Sequence, residues 1–160
     1  MAKKSKSKDT SNQIASNRKA YHDYAIETKF IAGLMLEGWE VKSLREGRVQ
    51  LKESYVIIKE GEAYLFGAHI SPLNNTCTHY TPDPLRTRKL LLHQRELDKL
   101  IKAKEQQGYT IVPLNMHWSK KYAKLSIAIA KGKQQHDKRE ANKKADWQRQ
   151  QHQILKHKQQ

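Results

Sequence analysis

The apolar positions of this chain change period several times, and each change marks an element. Residues 1–16 hold lysine, serine and asparagine with almost nothing to bury, and read as a disordered basic arm. Over 28–36, Phe30 and Leu34 stand one helical turn apart, with Thr28 placed as an N-cap and Gly38 just past the end, so the spacing predicts a short helix. From Trp39 the period shortens. Trp39, Val41, Ser43 and Arg45 alternate with Glu40, Lys42, Leu44 and Glu46 as far as Gly47, which predicts a strand. The segment 49–51 leads into Ser54-Tyr-Val-Ile-Ile-Lys59, a β-branched and aromatic run; Glu60-Gly61 is a turn signal, and 62–68 pairs back as a hairpin.

Pro72, Asn74, Asn75, Pro82 and Pro84 then mark a long irregular connection. Residues 86–107 read as the main helix, with Leu90, Leu97, Leu100 and Ile101 on a buried stripe and Gly108 closing it. A last hairpin joins 109–118 to 121–130 across Ser119-Lys120. Ala123, Leu125, Ile127 and Ile129 face one side of its second strand, while Tyr122, Lys124 and Ser126 face the other. Pro113 inside a strand requires an edge or a bulge. Short strands, irregular loops and an inserted helix together predict a mainly β protein with flanking helices, built on a small antiparallel barrel of the oligonucleotide-binding (OB) kind.

The last segment, 131–160, departs from this pattern. Its apolar residues are only Ala141, Ala145, Trp147, Ile154 and Leu155, and it has no proline and no glycine after Gly132. Ordering a residue costs roughly 1–2 kcal/mol of backbone entropy, so a helix-permissive segment with so little to bury is expected to be disordered alone and to become helical on a partner. Charge identifies the partner as an anion. Residues 1–20 carry six Lys/Arg against one acid and residues 131–160 carry nine against three, whereas 21–130 hold sixteen against twelve, within a formal net charge of +15. A nearly balanced body between cationic ends is a common footprint of RNA- and DNA-binding proteins, with solubility alone as the plainer alternative. The expected domains are an arm, 1–16; a body, 17–130; and a tail, 131–160.

The single cysteine, Cys77, forms no internal disulfide, and no apolar run has the length of a membrane span or the form of a signal peptide, so the expected setting is the cytoplasm. No Gly-rich phosphate loop, paired Cys or His-Glu-x-x-His zinc motif occurs, and no cofactor or metal is expected. Cys77, His79 and Asp83, with His93, are the candidates for nucleophilic, hydrolytic or metal chemistry. Binding is the stronger reading. In Asn17-Arg-Lys-Ala-Tyr-His-Asp-Tyr24, cations, an amide and stacking rings interleave, which suits splayed bases of an RNA loop. In Lys89-Leu-Leu-Leu92, consecutive leucines on a helix leave one or two pointing away from a single buried stripe.

Several of these segments resemble one family in order and spacing from about residue 16 to 139. Gly38-Trp-Glu-Val-Lys-Ser-Leu-Arg45, Glu62-Ala-Tyr-Leu-Phe-Gly-Ala68, Asp83-Pro-Leu-Arg-Thr-Arg-Lys-Leu-Leu-Leu-His93 and Ala130-Lys-Gly-Lys-Gln-Gln-His-Asp-Lys-Arg139 resemble motifs of the SsrA-binding proteins, also called small protein B. The resemblance implies a non-enzymatic partner of transfer-messenger RNA (tmRNA, or SsrA RNA) in trans-translation, the bacterial rescue of stalled ribosomes. It implies an OB-like body that grips the tRNA-like domain and stands in for an anticodon stem, delivered together with elongation factor Tu. It places tmRNA contacts at Asn17, His22, Tyr24, Arg86, Arg88, Lys89, Leu91 and Lys124. It places the tail residues Lys131, Gly132, Lys133, His136, Asp137, Lys138 and Arg139 at the decoding centre of the small subunit, with Gly132 turning the chain out of the last strand. Trp147 and Ile154, seven apart and so on one helical face, are expected along the empty mRNA channel. The family usually has an acid where this chain has Ile31, so that contact is not carried over. A generic ribosome-associated RNA-binding OB protein is the alternative.

Overall fold

The computed structural model describes residues 12–74 and 81–157. In chain order its elements are β1 (Gln13–Ser16), α1 (Arg18–Asp23), β2 (Tyr24–Leu34), α2 (Gly38–Arg45), β3 (Val49–Gln50), β4 (Tyr55–Lys59), β5 (Glu62–Phe66), β6 (His69–Ile70), β7 (Arg88–Leu91), α3 (Gln94–Glu105), β8 (Tyr109–Ser119), β9 (Tyr122–Gly132) and α4 (Gln135–His157). Seven strands form one antiparallel sheet in the order β1-β8-β9-β2-β7-β5-β4, while β3 and β6 pair separately. The sheet curls until β4, its last strand, packs against β8 without pairing to it. The result is a partly open antiparallel barrel with helices around it, as the sequence pattern predicts. Leu44, Leu65, Ile70, Leu100, Met116, Leu125 and Ile127 are fully buried inside it.

Two bulges let one sheet serve two cores. Ile26 pairs with Ala130 but Thr28 pairs with Ile129, so Glu27 is an extra residue that reverses the facing of β2. Tyr24 and Ile26 therefore pack with Ala20 of α1, Ala128 and Ala130 outside the barrel, whereas Phe30 and Ala32 point into it. A second bulge, between Pro113 and Asn115 on β8, gives Pro113 the position its missing N–H requires.

The helix expected over 28–36 is instead the second half of β2. An i, i+4 pair such as Phe30 and Leu34 fits a period of two as well as one of 3.6, and buried Ala32 between them belongs to the strand pattern. The reverse error occurs at 39–46, expected as a strand and found as α2. Trp39, Glu40, Ser43 and Leu44 are its buried face, and Glu40 Oε2 accepts from the Glu37 N–H at 2.8 Å, closing the first turn as in a capping box. The main helix begins at Gln94 rather than 86, because Lys89 and Leu90 pair into the sheet with Tyr64 and Leu34. That strand resolves the consecutive leucines: Leu90 is buried and Leu91 faces out. Helix α3 keeps Leu97 and Leu100 on its buried face, and its first turn is closed by the His93 N–H donating to Glu96 Oε2 at 3.1 Å. The last hairpin turns at Lys120-Lys121, one residue later than expected, with Lys120 at φ 56°.

Strand β9 runs through Gly132, so Lys131 and Gly132 belong to the body and not to the tail. Gly132 pairs with Tyr24, has no positive φ, and has open space where a Cβ would stand, so it makes no turn. Gly67 is the glycine the fold demands. Its φ is +78°, and a Cβ there would lie 2.9 Å from the Glu53 carbonyl oxygen. Gly67→Ala is expected to cost about 1–3 kcal/mol of stability, read from urea or thermal unfolding.

Candidate nucleic-acid interface

The outward face of the sheet is set by register. Lys124 stands opposite Gly33 on β2, and Gly33 stands opposite Leu91 on β7, so a cation and a leucine flank a bare backbone position. A Cβ at Gly33 would come within 3.2 Å of Leu91 Cβ, so glycine here is what lets Leu91 lie close over the strand. Ile31, 60 % exposed, is on the same face, and Leu91 is 50 % exposed. A shallow groove runs on past Tyr122, which is 61 % exposed and has the Lys121 ammonium 5.6 Å from its ring centroid. Single exposed apolar residues are ordinary, but several on one sheet face among lysines form a surface for stacking or apolar contact beside phosphates. Lys89 belongs to this face, and its Nζ meets Glu62 Oε1 at 2.6 Å. Lys89 and then the Tyr64 hydroxyl, which donates to Glu62 Oε2 at 2.8 Å, hold that carboxyl below its usual range.

Asn17, expected as an RNA contact, is 3 % exposed. Its Oδ1 accepts from the Ala20 N–H at 3.2 Å and its Nδ2 donates to the Pro113 carbonyl at 3.0 Å. It is the N-cap that seats α1 on β8, and it has no free surface to offer. His22 is exposed, with Nδ1 2.9 Å from Asp23 Oδ1 and Nε2 2.7 Å from Asn142 Oδ1. Asp23 and then Asn142 raise the imidazole above its usual pKa, and the contact ties α1 to α4. Tyr24 is half-buried against Ala20 and lines a second groove with Lys19 and Lys52.

Arg88, also expected on the RNA surface, is wholly buried. Its Nε donates to Glu40 Oε1 at 2.7 Å, Nη1 to the Ala68 carbonyl at 2.7 Å and Nη2 to the Pro84 carbonyl at 3.1 Å. Arg86 closes over the same carboxylate, Nη2 to Glu40 Oε2 at 2.7 Å, and reaches the Met35 carbonyl at 3.1 Å. Burial by itself would raise the Glu40 pKa, but the Arg86 hydrogen bond, the Glu37 N–H and Arg88 outweigh it and hold the group below its ordinary range. These arginines order β7 and its approach and are not displayed as free cations.

Where β9 meets the tail, the backbone N–H of Lys133 donates to the Asp23 carbonyl at 2.9 Å and its Nζ to the Tyr21 carbonyl at 3.3 Å, while Lys131 Nζ, still on the strand, lies 5.9 Å from the Tyr109 ring centroid. The side chains of His136, Asp137 and Lys138 lie outside the described residues, as do Cys77 and His79. Arg139 is exposed, Trp147 is 60 % exposed and Ile154 57 %. Helix α4 is present, but its described side chains bury almost nothing.

Of the expected contacts, the structure thus brings Lys89, Leu91 and Lys124 together on one face, with His22 and Tyr24 at the α1 end and Asn17 and Arg88 inside. Ile31 and Tyr122 join that face without having been singled out as contacts; alternation along β2 and β9 is the signal that finds them. Among the described residues no group of three His, Cys, Asp or Glu side chains is placed to hold a metal, and no helix is long and apolar enough to cross a membrane.

The chain is similar to known proteins over most of its length. The profile of the family described as "SmpB protein" matches residues 14–157. The SsrA-binding protein of Coxiella burnetii is 54 % identical over 156 residues, covering 98 % of both chains. That of Thiobacillus denitrificans is 59 % identical over 143 residues, covering 89 % of this chain and 96 % of its own. A solved structure described as "tmRNA-SmpB: a journey to the center of the bacterial ribosome" superposes with a TM-score of 0.63 at 41 % identity, covering 79 % of this chain and 92 % of that one.

Proposed function

The chain belongs to the SmpB protein family, and from that membership we propose that it binds tmRNA and acts in trans-translation at the ribosome, making and breaking no bond itself. The observation that carries the proposal in this chain is the Leu91–Gly33–Lys124 row on an open sheet face beside Ile31 and Tyr122. That face takes the tRNA-like domain: Lys89 and Lys124 meet phosphates, Leu91 and Ile31 take apolar contact, and His22 and Tyr24 extend the contact toward α1. Asn17, Arg86 and Arg88 serve it from within, by holding α1 and β7. In this arrangement the body stands where an anticodon stem would, and elongation factor Tu travels in the same delivered complex. The tail, with His136, Asp137, Lys138 and Arg139 at the decoding centre and Trp147 and Ile154 beyond, enters the mRNA channel only when that channel is empty. Exclusion by a bound message makes the tail specific for stalled ribosomes.

The test is competition: labelled tmRNA bound to the protein is challenged with a structured RNA of equal length. Strong preference for tmRNA is expected, and equal affinity would instead make this a generic RNA-binding barrel. Within the same assay, Lys124→Ala is expected to weaken binding and reduce the salt slope by about one ion, as for a lost phosphate contact. Leu91→Ala is expected to cost about 1–3 kcal/mol with the salt slope unchanged.

A further inference from the structure

The row that carries Leu91 does not stop at Lys124. His117 stands opposite Lys124 and Gln13 opposite His117, so Gln13, His117, Lys124, Gly33 and Leu91 form one line of cross-strand neighbours from β1 to β7. The next row holds Ser16, Asn115, Ser126 and Ile31. At neighbouring-strand distances of about 4.8 Å, His117 lies roughly 14 Å from Leu91 across the sheet. Between β1 and β9 the two rows open into a groove lined by Gln13, Asn115, His117, Trp118, Lys120 and Ser126.

This groove is polar, and its polar groups are not used within the described residues. None of the side chains of Gln13, Asn115, His117, Lys120 and Ser126 makes a hydrogen bond within the described residues. Asn115 Oδ1 is sealed from solvent and has no donor among the described residues. A buried carbonyl without a donor is destabilising, and native proteins hold few of them.

We infer that the Asn115–His117 groove is a second RNA subsite that takes one unpaired nucleotide, the Asn115 carboxamide pairing with the base edge and Lys120 meeting the adjoining phosphate. The amide offers an acceptor and two donors in one plane, the pattern that matches a base edge presenting an N–H beside an acceptor. His117 supplies a flat ring beside it, and single-stranded RNA is read by this combination of ring contact and edge hydrogen bonding. Asn115 is half-buried and lines the groove, so rotation of its side chain brings Oδ1 to the incoming donor. A nucleotide here and the contact at Leu91 lie along one row, so a single RNA strand or loop spans both.

The inference rests on the RNA-binding reading above, and its test separates the two. The probe is the transcribed tRNA-like domain of tmRNA. Asn115→Leu and His117→Leu are each expected to weaken its binding about tenfold, within the range of lost base contacts. One unpaired nucleotide protected from chemical modification by the wild-type protein is expected to become reactive with Asn115→Leu, the rest of the footprint staying in place. Asn115→Leu also removes the orphaned acceptor, so it is expected to melt a few degrees higher than wild type. A variant more stable yet weaker in binding is not explained by damage to the fold. If both variants bind as wild type while Lys124→Ala weakens binding, the groove holds no nucleotide and the RNA reading stands. If wild type itself shows no preference for this domain over another structured RNA of equal length, the reading falls and the subsite with it.

Discussion

A chain ending at Gly132 is expected to bind tmRNA nearly as the full protein does and to support no rescue of stalled ribosomes. The boundary follows from the structure, in which β9 pairs through Gly132 with Tyr24, so cutting after it leaves every strand of the barrel whole. What is removed buries little: Trp147 and Ile154 are more than half exposed. A 23-residue helix extends about 35 Å, and charges far along it are screened from the sheet face at physiological salt, where the Debye length is about 8 Å. The affinity change is therefore expected to stay within a few-fold at 150 mM salt and to widen at low salt, where the lost lysines steer association. Rescue, read as tagging of a nascent chain on a message without a stop codon, is expected to fall to background. The division of labour fails if the truncated protein loses tmRNA affinity in step with activity, or if it retains tagging.

The tail was legible in the sequence because its signal is compositional: cations, few apolar residues and no breaker. Period was less reliable in the body. At Phe30 and Leu34, and again at Trp39 and Val41, short apolar spacings satisfied both a helix and a strand, and bulges such as the one at Glu27 exchange faces without any local mark. Lys124 came out as an outward residue because it alternates with buried neighbours, whereas Leu91, read as part of a helix, faces out only because its segment is the strand β7. Asn17 and Arg88 did not, since polarity says nothing about whether the partner is solvent, a ligand or the chain itself. Asn17 finds Pro113, and Arg88 finds Glu40, only through contacts across 96 and 48 positions of the chain. Those partners follow from topology, which no local window contains.

Arg88 gives the sharpest way to tell a ligand of RNA from a brace of the fold. Glu40→Ala is expected to destabilise the protein by about 3–5 kcal/mol, because it leaves the buried Arg88 guanidinium without its counter-charge. For a chain of this size that corresponds to a fall in Tm on the order of 10 °C or more. Glu40 titrates below its ordinary range in the fold and near that range once unfolded, so its contribution is complete at neutral pH and is lost as pH falls through the depressed value. Wild type is therefore expected to lose stability on acidification by more than Glu40→Gln does. Replacing the buried pair, Glu40→Leu with Arg88→Met, removes the uncompensated buried ion and leaves the partly exposed Arg86 to solvent and Glu37, and is expected to recover more than half of the loss. Binding should follow stability. Arg88 and Leu91 share β7, so Glu40→Ala loosens the strand that presents Leu91, and the double variant restores it. If Arg88 instead met a phosphate, the double variant would regain its Tm yet still bind tmRNA weakly with a smaller salt slope, and the assignment of Arg88 to the interior would be wrong.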